Sequence, residues 1–274
     1  MEIQWALVLF TVVSGAGAWL FAFSMLGYLL KKDAAPSKME TVVAFVLVAA
    51  GGCMSVMHLS HVDRILEALN HPTSGIFIEA AMIGVLCVIL AVYFVLLARN
   101  SSEKARCAVG VLGLLVGVVF TYACGSSYLM EARPAWQTVT LPLAYFGTAA
   151  SAGAGLNLLL KAVQKRDGQA VSFAGLLAVA GGALGAVLAA AFCIAAGPYV
   201  AAADNGAVAW VVALFVALAA VIACGAVALK QPKNALAMGA VALVAGVVAA
   251  IALRAAMWLI GTPFMDFFLQ IPPA

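Results

Sequence analysis

Two histidines, an aspartate and an arginine crowd into the stretch MHLSHVDR, residues 57–64, of a chain in which only 9% of residues are charged. Histidine takes up and releases protons near neutral pH. His58 ends an apolar run, Glu79 opens the next one, and Arg254 lies inside the last. Ionisable groups within or beside membrane segments are costly, which makes them functional candidates by default. The first chemistry to weigh is metal ligation. His58 and His61 are three apart on one helical face, a spacing that metal sites use, but Asp63 is the one carboxylate in the motif and no cysteine joins them. A membrane haem needs axial ligands on both faces of its ring, from separate helices. His58, His61 and His71 instead surround a single loop, which argues against haem. The six cysteines (Cys53, Cys87, Cys107, Cys124, Cys193, Cys224) share no CxxC spacing and read as small apolar packers.

A quinone fits these residues better. Its head group needs a hydrogen-bond partner and a proton acceptor at the bilayer edge, with apolar walls for an isoprenoid tail. His58 and Glu79 are suited to accept protons, while Arg64 and Arg254 tune or orient them; burial raises a carboxylate's pKa and a neighbouring arginine opposes that shift. Each residue also has a purely structural reading. His58 can cap a helix end, Glu79 can pair with Arg64, and Arg254 can snorkel to the interface.

The elements that position these groups are membrane helices. The chain has 274 residues, 66% of them hydrophobic, whereas a soluble domain carries about 25% charged residues. The expected fold is an all-α integral membrane protein, a single polytopic domain over 1–274. Eight transmembrane helices are expected at about 3–30, 41–59, 76–98, 107–130, 138–160, 171–199, 207–229 and 235–260, each near the 20 apolar residues that span a bilayer. The first is too long for a signal-peptide core and starts with Glu2 rather than a basic residue, so it is expected to remain. Short connections make consecutive helices antiparallel neighbours in a compact bundle. Small residues at Gly147, Gly153, Gly155 and in AGGALGA (180–186) predict close helix approach.

Lys31, Lys32, Lys38, Arg99, Lys104, Arg106, Lys161, Lys165, Arg166, Lys230 and Lys233 follow the odd-numbered spans, leaving Arg64 and Arg133 on the other side and Arg254 within the last span. The positive-inside tendency then puts both termini on the periplasmic side. Arg254 is about 19 residues into its span and has risen roughly 28 Å at 1.5 Å per residue. It is therefore expected near the outer surface, in one layer with His58 and Glu79, flanked by His61, Asp63, Arg64, Glu67, Glu131 and Arg133. A transporter or channel would instead gather charges at the midplane and break helices with paired Gly or Pro. Pro142 is the one proline expected well inside a span, and no internal repeat is evident.

The stretch MHLSHVDRILEALN, followed by Glu79, resembles the DMSO reductase membrane anchor subunit, the DmsC family. That family runs His-Leu-Gly, an arginine six positions after the histidine, a Leu-Asn pair, then a glutamate on the next helix. His58, Arg64, Leu69, Asn70 and Glu79 match. Weaker similarity continues through YLMEARPAW (128–136) and Arg254. Ser60 departs from the usual glycine, and His61 and Val62 replace a small polar residue and a proline; His61 is a candidate second proton acceptor. The resemblance implies an anchor in the bacterial inner membrane that holds a molybdopterin catalytic subunit and a four-cluster ferredoxin-like iron-sulfur subunit. It implies menaquinol oxidation at His58 and Glu79, with no haem in the anchor and electrons passing directly to the iron-sulfur subunit. The expected partners are those subunits and the lipid bilayer, with no nucleic acid. A structural anchor lacking a quinone site and a polysulfide-reductase-type quinone subunit are the related alternatives.

Overall fold

A computed structural model of the chain describes residues 2–57, 70–203 and 206–261. Among the described residues the regular structure is all helical, without strands: α1 Trp5–Leu29, α2 Lys38–Val56, α3 Gly75–Ala98, α4 Glu103–Ser126, α5 Thr140–Val163, α6 Gly168–Ala195, a short α7 Gly197–Ala202, α8 Ala207–Lys230 and α9 Ala235–Ile260, the last entered through a 3-10 turn at Pro232–Asn234. All but α7 are long and apolar enough to cross a membrane, which gives the eight spans expected.

Local chemistry sets the ends. Ser37, Ser74, Ser102 and Asp167 each accept a hydrogen bond from a first-turn backbone N–H at the starts of α2, α3, α4 and α6. At α2 the Glu40 side chain completes a capping box, so this helix begins before the apolar run does. Two departures from the expected spans involve proline. The sixth span breaks after Ala195, and Gly197-Pro198 starts α7, because proline lacks the N–H to continue a helix but fits a first turn. Pro142, expected inside the fifth span, lies in the first turn of α5, where its missing donor costs nothing. It therefore does not break a helix, as a proline in a discontinuous transporter span would.

Helices α1 and α5 form the enclosed centre of the bundle, and most of their residues are buried. α1 packs on α2, α4 and α5; α5 packs on α1, α4, α6 and α9; among the described helices α3 packs mainly on α2 and α4 and turns a long apolar face outward. Glycine permits this central contact. A Cβ on Gly155 would lie 2.6 Å from the Ala242 carbonyl on α9, and one on Gly147 would lie 3.0 Å from Gly185 Cα on α6. Backbone meets backbone at Gly155, so no side-chain rotation relieves the clash. Gly155→Val is expected to destabilise the detergent-solubilised protein by about 1–3 kcal/mol, read as a lower thermal midpoint, whereas the same change at Gly84, which faces open space, should leave the midpoint nearly unmoved.

The ends of the bundle differ. At one end Lys161, expected in a loop, lies in the last turn of α5 and is only 2% exposed. Its ammonium binds Asp33 from the α1–α2 connection and Glu40 of α2, the latter at 2.5 Å, and Arg166 approaches Asp33 at 3.8 Å. Lys161 therefore does not contribute a charge to the headgroup layer, because two carboxylates draw it inward. The opposite end carries the candidate site.

Candidate functional site

A cavity of about 1060 Å³ opens at the end of the bundle where α2 ends, α3 begins and α4 turns into α5. Its walls are apolar over most of their extent, with Val56, Ile76 and Ile83 from α2 and α3 on one side and Tyr128, Trp136 and Trp258 on the other. Glu79 is the one carboxylate on the wall among the described residues. It stands in the second turn of α3, half-buried, and the Ser127 hydroxyl just beyond α4 donates to it. The two helix ends touch here: a Cβ on Gly75 would meet Ser127 Cβ at 2.9 Å, so the glycine lets α3 bring Glu79 against the α4 terminus.

The turn between α4 and α5 closes the cavity. Arg133 stands 4.6 Å from the centre of the Trp136 ring, and its guanidinium donates to the Gly261 carbonyl at the end of α9. Trp136 Nε1 donates to the Met257 carbonyl at 2.8 Å. Two bonds thus fasten this turn to the last helix. Trp136, Trp258 and Tyr128 meet edge to face, with ring centroids 5.0 to 6.0 Å apart, a geometry favoured by the aromatic quadrupole.

The expected site residues fall into three groups. Glu79 and Arg133 line the cavity, while Glu131 is exposed beside it. Arg254 takes a different position from the one expected. It is 1% exposed, within the bundle rather than at its surface, and does not reach the cavity wall. Its Nε donates to Thr11 Oγ1 at 2.6 Å, its Nη1 to Thr148 Oγ1 at 3.3 Å and to the Ala250 carbonyl at 2.9 Å, and the guanidinium lies 4.1 Å from the Tyr145 ring centre. Hydroxyls and a π face from α1 and α5 solvate the cation where it stands, so the side chain need not extend to the headgroups. Tyr145 packs on Tyr128 at 5.5 Å, which leaves Arg254 one aromatic layer behind the cavity. The third group, His58, His61, Asp63, Arg64 and Glu67, lies outside the described residues, but the chain leaves the described structure at Met57, just after Val56 on the wall, and resumes shortly before Ser74, also on the wall.

Ser127 and Trp258 were not singled out in the sequence. Ser127 gave no signal, being one of two adjacent serines. Trp258 had one: it follows Arg254 by four residues and so shares its helical face, one turn closer to the cavity. The six cysteines are free thiols; Cys124 and Cys224 are buried packers as expected, while Cys53 is exposed and lines the cavity with Cys87.

An eight-span helical membrane protein with a carboxylate-bearing apolar cavity at one end is the class that fold and site define. The family model described as DMSO reductase anchor subunit (DmsC) matches residues 1–237, and the chain belongs to that family. It is also similar to the C subunit of the anaerobic dimethyl sulfoxide reductase of Haemophilus influenzae, 27% identical over 161 residues, which are 56% of this chain and 57% of that protein. The match thus spans little more than half the length of this curated relative.

Proposed function

We propose that this chain is the quinol-oxidising membrane anchor of a molybdenum oxidoreductase in a bacterial inner membrane. The observation that carries the reading is Glu79, a half-buried carboxylate on the wall of an otherwise apolar cavity at the end of the bundle from which the His58–Arg64 segment departs. The volume, about 1060 Å³, is at the upper end of small-molecule sites. It has room for a bicyclic quinol ring and the first isoprenoid units, with the apolar α2 and α3 walls against the tail. Menaquinol is the ligand that the family suggests.

Oxidation of a quinol releases two electrons and two protons. In the proposed reaction the Glu79 carboxylate accepts one hydroxyl proton and His58 accepts the other, with His61 as a further acceptor. Arg64 and the buried Arg254 hold a positive potential at the site, the latter through the tyrosine layer rather than by contact. The electrons leave to a four-cluster iron-sulfur subunit docked over the same end of the bundle, and from there to a molybdopterin catalytic subunit. The anchor itself carries no haem in this reading. The excess of Lys and Arg in the connections at the far end supports a cytoplasmic location for that end and a periplasmic one for the cavity and both termini.

The test is the purified complex containing this chain. It is expected to retain about one quinone per anchor, and His58→Ala should lower naphthoquinol oxidation by about 10²-fold or more, the range for loss of a general base, with subunit composition unchanged. Full activity in His58→Ala together with a quinone-free wild-type complex would overturn the reading.

A further inference from the structure

The aromatic side of the cavity holds an unused hydrogen-bond donor. Trp136 and Trp258 both contribute to the wall, edge to face with centroids 5.0 Å apart, but their N–H groups differ. The Trp136 N–H is engaged by the Met257 carbonyl. Trp258 is 7% exposed, and its Nε1 is buried with no hydrogen-bond partner among the described residues. A buried N–H without an acceptor carries an uncompensated desolvation cost, and buried indoles ordinarily find an acceptor. A ligand oxygen in the cavity removes that cost.

A quinone ring carries two oxygens on opposite edges, and each accepts a hydrogen bond in both the oxidised and the reduced form. Glu79 and Ser127 come from α3 and the α4 terminus, Trp258 from the last turn of α9, so the wall residues that carry these polar groups belong to different elements. We propose that the Trp258 indole N–H is the donor that holds the quinone oxygen not served by Glu79, and so orients the ring between α3 and α9. This assignment rests on the quinol reading above. A donor-only group bonds more strongly to a carbonyl than to a phenolic hydroxyl, so Trp258 favours the product quinone over the quinol and contributes to the direction in which the site poises the couple.

The experiment uses the purified complex with Trp258→Phe and, separately, with Trp258 replaced by benzothienylalanine, whose sulfur takes the place of the N–H at nearly unchanged ring size. Both changes are expected to raise the KM for a short-chain naphthoquinol about three- to tenfold, the range for one net hydrogen bond, with a smaller effect on kcat. The infrared carbonyl stretch of bound naphthoquinone should shift to higher frequency as one carbonyl loses its donor, a change that packing alone does not produce. The isosteric variant should keep the wild-type thermal midpoint. An unchanged KM and carbonyl band in both Trp258 variants, while Glu79→Gln in the otherwise wild-type complex abolishes quinol oxidation, would overturn the Trp258 assignment and leave the quinol site standing. Undiminished quinol oxidation in Glu79→Gln, with no bound-quinone band in the wild type, would overturn both.

Discussion

Glu79→Gln is expected to lower quinol-driven electron transfer by about 10²- to 10⁴-fold, the contribution typical of a positioned proton acceptor, while the complex assembles in normal yield. Glutamine has nearly the same shape and can still engage the Ser127 hydroxyl, so packing between α3 and the α4 terminus survives and only the proton acceptor is lost. Turnover with an artificial electron donor that feeds the catalytic subunit directly should therefore remain at the wild-type rate. The contrast between the two donors is the measurement. Equal losses with both would place the defect in assembly rather than at the quinol site, and no loss with quinol would remove Glu79 from the reaction. If proton release and the docked subunits share one end of the bundle, as proposed above, turnover in proteoliposomes should build no membrane potential, and a potential that collapses with an uncoupler would contradict that proposal.

The largest stability effect is expected at the far end. Lys161→Met leaves the Asp33 and Glu40 carboxylates, whose side chains are 4% and 0% exposed, without the ammonium that binds both. Removing one partner of a buried ion pair costs about 3–5 kcal/mol, enough to abolish folding in a marginally stable membrane bundle. The diagnostic control is the triple variant Asp33→Asn, Glu40→Gln, Lys161→Met. The three members of the cluster are then all neutral, and neutral replacement of a buried ion cluster is often close to neutral in stability. The thermal midpoint in detergent should fall steeply in the single variant and recover for the most part in the triple. Equal instability of both would mean that the cluster acts through its hydrogen bonds, such as the Glu40 contact to the Ser37 backbone N–H, rather than through charge balance.

Much of this molecule is determined by sequence alone. Apolar runs of about 20 residues have one stable outcome in a bilayer, because every backbone N–H and C=O must be satisfied within the segment. The eight spans and the segregation of basic connections to one end follow from that constraint and from the positions of Lys and Arg. Glu79 was legible as a candidate for the same reason, since a carboxylate one turn into a membrane helix is costly, and its place on the cavity wall agrees with that expectation.

Side-chain direction was not legible, because it depends on what neighbouring helices offer. Arg254 has the right height for an interfacial arginine, yet Thr11, Thr148 and Tyr145, from helices remote in sequence, solvate it inside the bundle. Lys161 has the position of a topology-setting loop residue, but Asp33 and Glu40 draw it into the interior. Trp136 and Trp258 look alike as letters, and only the Met257 carbonyl, supplied across the α5–α9 side of the cavity, decides which indole N–H remains for a ligand. Sequence fixes which segments cross the membrane, since that is a local balance of transfer free energy and backbone satisfaction. Tertiary packing decides which polar atoms are already partnered, and that set defines the site.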